Sequence, residues 1–532
     1  MTVRTFLSSC WLLAFVLALP SAAQTTLRYA ESTSIPGMDP YSGKRSTAAQ
    51  QRVFSLIHEG LAIYDHDFKQ PFLRLIQDWE PKSGPTSSIT LGLVEAAWSD
   101  GTPFTSADVA FTLEYAKNAR GASYARQVSS RYVESVSTPA PRTVVLHLRE
   151  RREAEAVLAL LEFPMLPAHR FNASGMQTES AGGKSLDEEP VGLGPYQLDE
   201  INLYDNYIRF AANQGYWKGA PNIDRVELLR ISDESTMVNY ASSGNLDLVV
   251  RIPHSQIPIF EDNGNFVTKV YEAYSFHAFA YNFRNPLLAD LPIRRAMALG
   301  TNRQEILDNF YAGLGQVLDG PVVTGHPDYA AGLPRLSYNH LMARRELAAA
   351  GYSDRNGDKI RESPSGERLS FRLVTVIEDA GTETTMQAVA TAFKGYMERI
   401  GIEILIEPRI RSDYQATLHE TRDFDIIWVE WSFDPSYEMT YLFHSDASRG
   451  DSNVGGYGDR IVDEQLDRIA SAPTPEEARQ ASQALQYELA IDQPYLFLYQ
   501  VEQMAAVKNT LVATALHPFY FFSYISDWSF LR

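Results

Sequence analysis

At 532 residues, with 45% hydrophobic and 21% charged side chains, the chain is too long for one hydrophobic core and too ordinary in composition to be disordered or fibrous. Two or three globular domains are expected. The formal charge of −19 lacks the basic footprint that phosphate binding needs, which excludes nucleic acid as a partner.

Residues 1–23 read as an export signal. Arg4 supplies the positive start, Trp11 to Leu19 are apolar and uncharged, and Ser21-Ala22-Ala23 offers small residues to a peptidase, so cleavage is expected before Gln24. Cys10, the only cysteine, lies inside this segment and away from a lipoprotein cleavage site. The mature chain should therefore lack disulfides, thiolate chemistry and cysteine metal sites. No later run reaches the ~18 uncharged apolar residues of a membrane span, so an exported chain without a lipid anchor is expected.

In chain order, Leu27 to Ala30 read as a first strand and Glu31 to Tyr41 as a turn-rich loop, with Glu31 facing a cleft. Val53, Leu56, Ile57 and Leu61 recur at helical spacing and predict a helix over 52–64. His58 within it reads as a satisfied structural residue, and Asp65 to Gln70 as a polar turn. Ser99-Asp100-Gly101 makes a tight turn before a helix capped by Thr105 with Asp108, whose apolar stripe is Val109, Leu113 and Ala116. Pro139 to Pro141 turn the chain into a strand over 144–148, and 174–189 form a polar loop fit to cross between domains. Gly192, Gly194 and Pro195 turn into a hairpin of YQL and YIRF, and Phe276 to Phe283 alternate as a strand that carries the chain into a second lobe. Two helices follow, capped by Asp290 and Thr301, then others over 338–350, 386–400 and 476–490, the last with Thr474 as cap and Pro475 at its first position. The helix over 386–400 leads into a strand over 402–406, a unit of a parallel sheet, and Tyr495 to Tyr499 should return the chain to the first lobe.

The most informative stretch is Phe424 to Tyr437, FDIIWVEWSFDPSY. Ile426 to Val429 form the continuous apolar run of a strand covered on both faces, and Pro435 ends it. Trp431, Ser432 and Asp434 then stand at the carboxyl edge of a sheet, where ligands bind in open α/β folds.

Motifs for catalysis are missing. His58-Glu59 and His419-Glu420 lack the second His of H-E-x-x-H, no G-x-S-x-G occurs, and GGKS at 182–185 lacks the first Gly of a phosphate loop. Asp354, Asn356, Asp358 and Glu362 alternate as in a calcium loop, yet Lys359 occupies the usual Gly position and Ser365 position twelve. A solvated turn competes with a cation there, and no metal or cofactor is assigned.

WSDGTPFTSADVAF, PVGLGPYQL, NQGYWKGAPNIDRVELLRI, YNFRNPLLADLPIRRAMALGTNRQEI and FDIIWVEWSFDP together resemble the extracellular solute-binding proteins of family 5, the oligopeptide and dipeptide receptors of ABC importers. Leu193 stands where that family usually has Thr. The resemblance covers essentially the whole mature chain and implies an α/β type II periplasmic-binding-protein fold: two lobes with a hinge plus an extra domain inserted in the first lobe. The implied division is 24–45 with 190–275 and 501–532 as first lobe, 46–189 as insert and 276–500 as second lobe. It also implies a non-enzymatic, monomeric periplasmic receptor that hands short peptides, or another small solute such as a sugar, nickel chelate or opine, to an inner-membrane permease. An exported hydrolase is the alternative of a different class. By the same resemblance Asp434, three residues after Trp431, receives a peptide's α-ammonium. Ser432, Glu31, Asn282 and Arg411 join them as ligand-binding candidates, with Arg409 or Arg411 suited to a peptide carboxylate.

Overall fold

Three separate sheets organise the chain in the computed structural model. It describes residues 24–532 apart from 33–34, 36, 42–47, 65–70, 119–123, 173–175, 179–182, 203, 272–273, 378–384, 434–436, 438, 451, 473, 513–515, 517–520 and 532. The export signal, the 65–70 turn and Asp434 fall outside the described residues.

The first sheet has seven strands in the order Phe266–Tyr271, Gln503–Lys508, Leu248–Val249, Thr26–Glu31, Arg225–Arg230, Tyr207–Ala212 and Tyr196–Asn202. Thr26–Glu31 is parallel to both of its neighbours. Such a strand must be covered on two faces, and here Tyr29 packs with Val53 and Leu56 of helix Ala48–Ile57 while Ala30 packs with Met237 and Val238 of helix Glu234–Ser242.

The second sheet has six strands, ordered Gly315–Val317, Tyr495–Val501, Ser275–Tyr281, Ile426–Ser432, Ser370–Ile377 and Glu403–Ile410. Its last three strands are mutually parallel. All of Ser275–Tyr281 and Tyr495–Val501 is buried. One face of the sheet meets Met297 and Phe393 of helices Leu291–Gly300 and Thr385–Ile400, and the other meets Leu466 and Leu485 of helices Arg460–Ser471 and Pro475–Asp492. The apolar run Ile426 to Val429 is thus a central strand, as its sequence requires.

A four-stranded antiparallel sheet, Ile76–Glu80, Pro85–Leu93, Thr143–Glu153 and Val133–Ala140, lies in the chain between members of the first sheet and has its own core with helix Ser106–Asn118. The Asp108 carboxylate accepts hydrogen bonds from the backbone N–H of Thr105 at 2.8 Å and from its hydroxyl at 3.2 Å, which closes the start of that helix. Leu193 is 2% exposed in the same core, so an apolar residue at this turn is accounted for by packing.

Three local expectations are corrected. The helix predicted over 52–64 instead spans Ala48–Ile57, and Ala62–Tyr64 pairs with Pro71–Leu73. Past Ile57 the chain pairs across the fold instead, Glu59 O accepting from Met165 N and Gly60 bridging Pro164, where a Cβ would lie 2.8 Å from the Glu162 carbonyl oxygen. The helix Arg303–Phe310 is capped by Asn302, whose side chain accepts from Glu305 N, while the Thr301 hydroxyl donates back to Met297 O at 2.7 Å. Asp290 precedes helix Leu291–Gly300 without capping it, its carboxylate accepting instead from the Tyr352 hydroxyl.

His58 is 8% exposed, and its Nε2 donates to the Met38 carbonyl at 2.9 Å. Burial lowers its pKa from 6.5 to about 4, against the Met38 hydrogen bond that raises it. The unfolded chain therefore binds a proton more readily than the folded one. The stability is complete above pH 6.5 and is lost as pH falls from there toward 4, by about 3 kcal/mol at most. Thermal melts from pH 8 to 4 on wild type and His58→Gln should converge as the pH drops; a gap that stays constant across the series would refute the assignment.

Candidate functional site

Both chain crossings between the lobes occur at matching sheet edges. In the first lobe Phe266–Tyr271 and Leu248–Val249 are both antiparallel to Gln503–Lys508, and Thr26–Glu31 is parallel to Leu248–Val249. Tyr271 therefore leaves from the edge at which Glu31 and Val249 end. In the second lobe the chain enters at Ser275, directly opposite Ser432 at the carboxyl end of Ile426–Ser432. The return crossing, Tyr495–Val501 to Gln503–Lys508, lies beside the first. Carboxyl ends of parallel strands are the ligand-binding edges of open α/β sheets, and here two such edges flank one pair of crossing strands.

The register then assembles the floor between them. Glu430 stands opposite His277, and His277 opposite Tyr499. Residues directly opposite across strands share a face, so the three form a row, with Trp428 one step behind on the same side. Ring centroids of His277 lie 5.7 Å from Trp428 and 5.4 Å from Tyr499. Tyr311, just past helix Arg303–Phe310, sits 5.2 Å from the Tyr499 ring, and their hydroxyls are 3.4 Å apart. The first lobe reaches the same cluster through His254, whose ring is 5.4 Å from Tyr311 and whose Nε2 donates to the Glu502 carbonyl at 3.2 Å.

Burial governs the titration of this floor. It lowers the pKa of His277, with Glu430 pulling the other way and Arg251 reinforcing the shift. It raises Tyr311 to about 12 and Tyr499 well above the ordinary phenol range. Both hydroxyls stay protonated at neutral pH and are available as donors. His277 Nδ1 is buried without a hydrogen-bond partner. Glu430, Ser432 and Arg251 are the exposed polar groups around these rings.

The described members of the expected binding set do not converge. Glu31 does end at the cleft edge, yet it is 4% exposed and held by Arg52 in a two-pronged ion pair of 2.5 and 2.8 Å. Trp431 points to the face opposite Glu430 and is 4% exposed in the core with Phe433, 6.4 Å from the Tyr441 ring. Asn282 follows Tyr281, which pairs with Ile426 at the far end of the strand from Ser432, about 20 Å away by strand geometry. Its amide donates to the Phe424 carbonyl at 2.7 Å, a structural task. Ser432 is exposed at the cleft edge. Arg411 opens helix Arg411–Ala416, where it and Glu430 both bear on Tyr414. Arg409 is engaged by Thr417 and Glu407 and lines a groove of about 590 Å³ beside the edge strand of the second sheet.

Asp354, Asp358 and Glu362 bring their oxygens within 4.8 Å of one another. These oxygens accept hydrogen bonds from Gly357 N, Ile360 N and Asn356, and Arg368 pairs with Asp358. Lys359 adopts φ +75°, the left-handed conformation that favours the missing Gly.

Glu430 and His277 were not among the sequence-derived candidates. The available signal was Glu430 itself, a single acid interrupting the buried run from Ile426 to Trp431. Its pairing with His277 is a matter of register between strands distant in sequence, which periodicity does not encode.

The family model for bacterial extracellular solute-binding proteins, family 5 middle, matches residues 71–453. Protein XP55 of Streptomyces lividans is 28% identical over 466 residues, covering 86% of this chain and 80% of that protein. The oligopeptide-binding protein AppA of Bacillus subtilis is 24% identical over 431 residues, covering 79% and 76%. The solved structure of AppA in complex with a nonapeptide aligns with a TM-score of 0.79 at 21% identity, over 96% of this chain and 100% of that one. NikZ from Campylobacter jejuni in complex with Ni(L-His) aligns with the same TM-score at 21% identity, over 95% and 99%. These likenesses carry the fold, a two-lobed α/β binding-protein architecture. Among the described residues no helix is long and apolar enough to cross a membrane.

Proposed function

Because the chain belongs to the bacterial extracellular solute-binding proteins of family 5, we propose that it captures short peptides between its lobes and delivers them to an inner-membrane ABC permease. The observation that carries this reading is the pair of carboxyl sheet edges facing one ring-lined floor, reached by both lobes, at the crossing strands. A ligand that touches both edges favours the closed form over the open one, and only that difference in affinity can drive closure. The relative AppA is named as an oligopeptide-binding protein, which favours peptides as the solute. Capture without conversion, export to the periplasm on the 1–23 signal and a monomeric state belong to the same reading. So does the division into a first lobe (24–45, 190–275, 501–532), an insert (46–189) and a second lobe (276–500), which the three larger sheets favour although helix Ala48–Ile57 packs on the first of them.

In this reading Asp434 accepts the peptide α-ammonium, with Ser432 beside it on the chain. A carboxylate in a closed, water-poor cleft binds an ammonium through charge-assisted hydrogen bonds. Thermal-shift titration with di- to pentapeptides, their N-acetylated copies, sugars and metal chelates tests the solute class, since a ligand of the native state raises the midpoint with concentration. Free peptides are expected to shift the midpoint and acetylated copies not to. Asp434→Ala should weaken peptide binding by about 2–5 kcal/mol. A shift with chelates or sugars and none with any peptide would keep the receptor and discard the peptide.

A further inference from the structure

We propose that Glu430 is the acceptor for a cationic group of the bound solute, so that the cleft prefers ligands carrying a lysine- or arginine-type side chain over neutral isosteres. The inference rests on the reading that the space between the lobes takes the solute.

Position comes first. Glu430 lies in the last turn of side chains before the carboxyl end of Ile426–Ser432, and it is exposed in a strand whose first four residues are buried. Its row of neighbours is aromatic: His277 directly opposite, Tyr499 beyond it, Trp428 behind and Tyr311 above Tyr499. Aromatic rings attract a cation electrostatically and supply no competing positive charge.

Glu31, the acid that ends the central strand of the first sheet, is held by Arg52. Glu430 makes no ion pair or hydrogen bond with any described residue. Beside it, the buried Nδ1 of His277 is a second polar atom left unused. A carboxylate next to an unpartnered buried polar atom, at the edge where ligands bind, is suited to a partner from outside the chain.

The sign of the local field agrees. Glu430 and Arg251 act in opposition on both His277 and Tyr311, and Glu430 is the larger influence on each. Arg251 belongs to the first lobe and is exposed, and Arg411 opposes Glu430 in the same way at Tyr414, again as the smaller influence. Free organic diamines present the same chemistry as a lysine side chain, and the test separates the two sources.

Calorimetric titration of the mature protein with tri- and pentapeptides carrying one lysine or one norleucine at each position in turn, and with cadaverine, is the experiment. The best lysine peptide should bind about tenfold or more tighter than its norleucine copy. That ratio should fall close to one in Glu430→Gln and be partly kept in Glu430→Asp, with circular dichroism showing both variants folded. If peptides bind wild type with no preference for lysine, or if Glu430→Gln keeps the preference, the inference is overturned while the peptide receptor stands; a direct latch between Glu430 and Arg251 would give this result. If no peptide binds but cadaverine does, and Glu430→Gln weakens it, the acceptor stands and the peptide reading falls. If neither peptides nor cadaverine bind, both fall.

Discussion

Replacing Arg52 by methionine destabilises the first lobe by about 3–5 kcal/mol, the usual consequence of leaving one charge of a buried pair alone. Glu31 closes the central strand of the seven-stranded sheet and is 4% exposed, so it cannot turn to water when the guanidinium is removed. Arg52 also lies 5.8 Å from the Phe521 ring centroid and carries its charge despite burial because Glu31 offsets the loss of water. The double variant Glu31→Gln/Arg52→Met should recover most of the loss, since removing both charges together is often near neutral. Amide hydrogen exchange over Thr26–Glu31 reads this lobe separately from the others, which matters in a chain of several domains. Unchanged protection in Arg52→Met would show that the pair contributes nothing.

Trp428→Ala carries an expected cost of the same size, about 3–5 kcal/mol, for a different reason. The indole is 1% exposed and packs edge-on to Phe279 at 5.4 Å, with Phe393 of the covering helix 4.5 Å from Phe279. Its removal opens a cavity under the sheet between two layers that cannot easily collapse. Because His277 rests against the same ring, the loss extends to the cleft floor. Solute affinity should fall together with the unfolding midpoint, and Trp428→Phe should lose less of both. A variant that loses stability but keeps full affinity would show that the floor is set by Glu430's own strand and owes nothing to the indole.

Much of the architecture could be read from short-range signals. The run Ile426 to Val429 announced a doubly covered strand, and the turn at Gly192 to Pro195 announced the hairpin that follows. That turn has little choice: a Cβ on Gly192 would stand 1.7 Å from the Ile57 carbonyl oxygen. Thr474 and Pro475 announced the start of helix Pro475–Asp492, where the Thr474 hydroxyl accepts from Glu477 N at 3.2 Å. These are effects within a few residues. The helix end at Ile57 was hidden because the chain just past it pairs with Pro164 and Met165, far along the sequence. Asn282 looked like a cleft residue by its place in a family motif, but in the fold its amide ties together the backbone around Phe424. Glu430 meeting His277 required the strand register, and no local pattern contains that.

The adjacency of the two crossings also has a mechanical meaning. With the chain passing between lobes only where Tyr271 leads to Ser275 and Val501 leads to Gln503, any swing of one lobe against the other pivots close to the row of Glu430, His277 and Tyr499. Atoms near a pivot travel little, while the outer rims of the lobes sweep a wide arc. A solute group held at Glu430 therefore meets nearly the same surroundings whether the jaws are apart or together, and its binding energy counts almost equally in both. Such a contact can recruit a solute into the open receptor, whereas the force that shuts it has to be exerted by parts of the solute lying farther out along the arc.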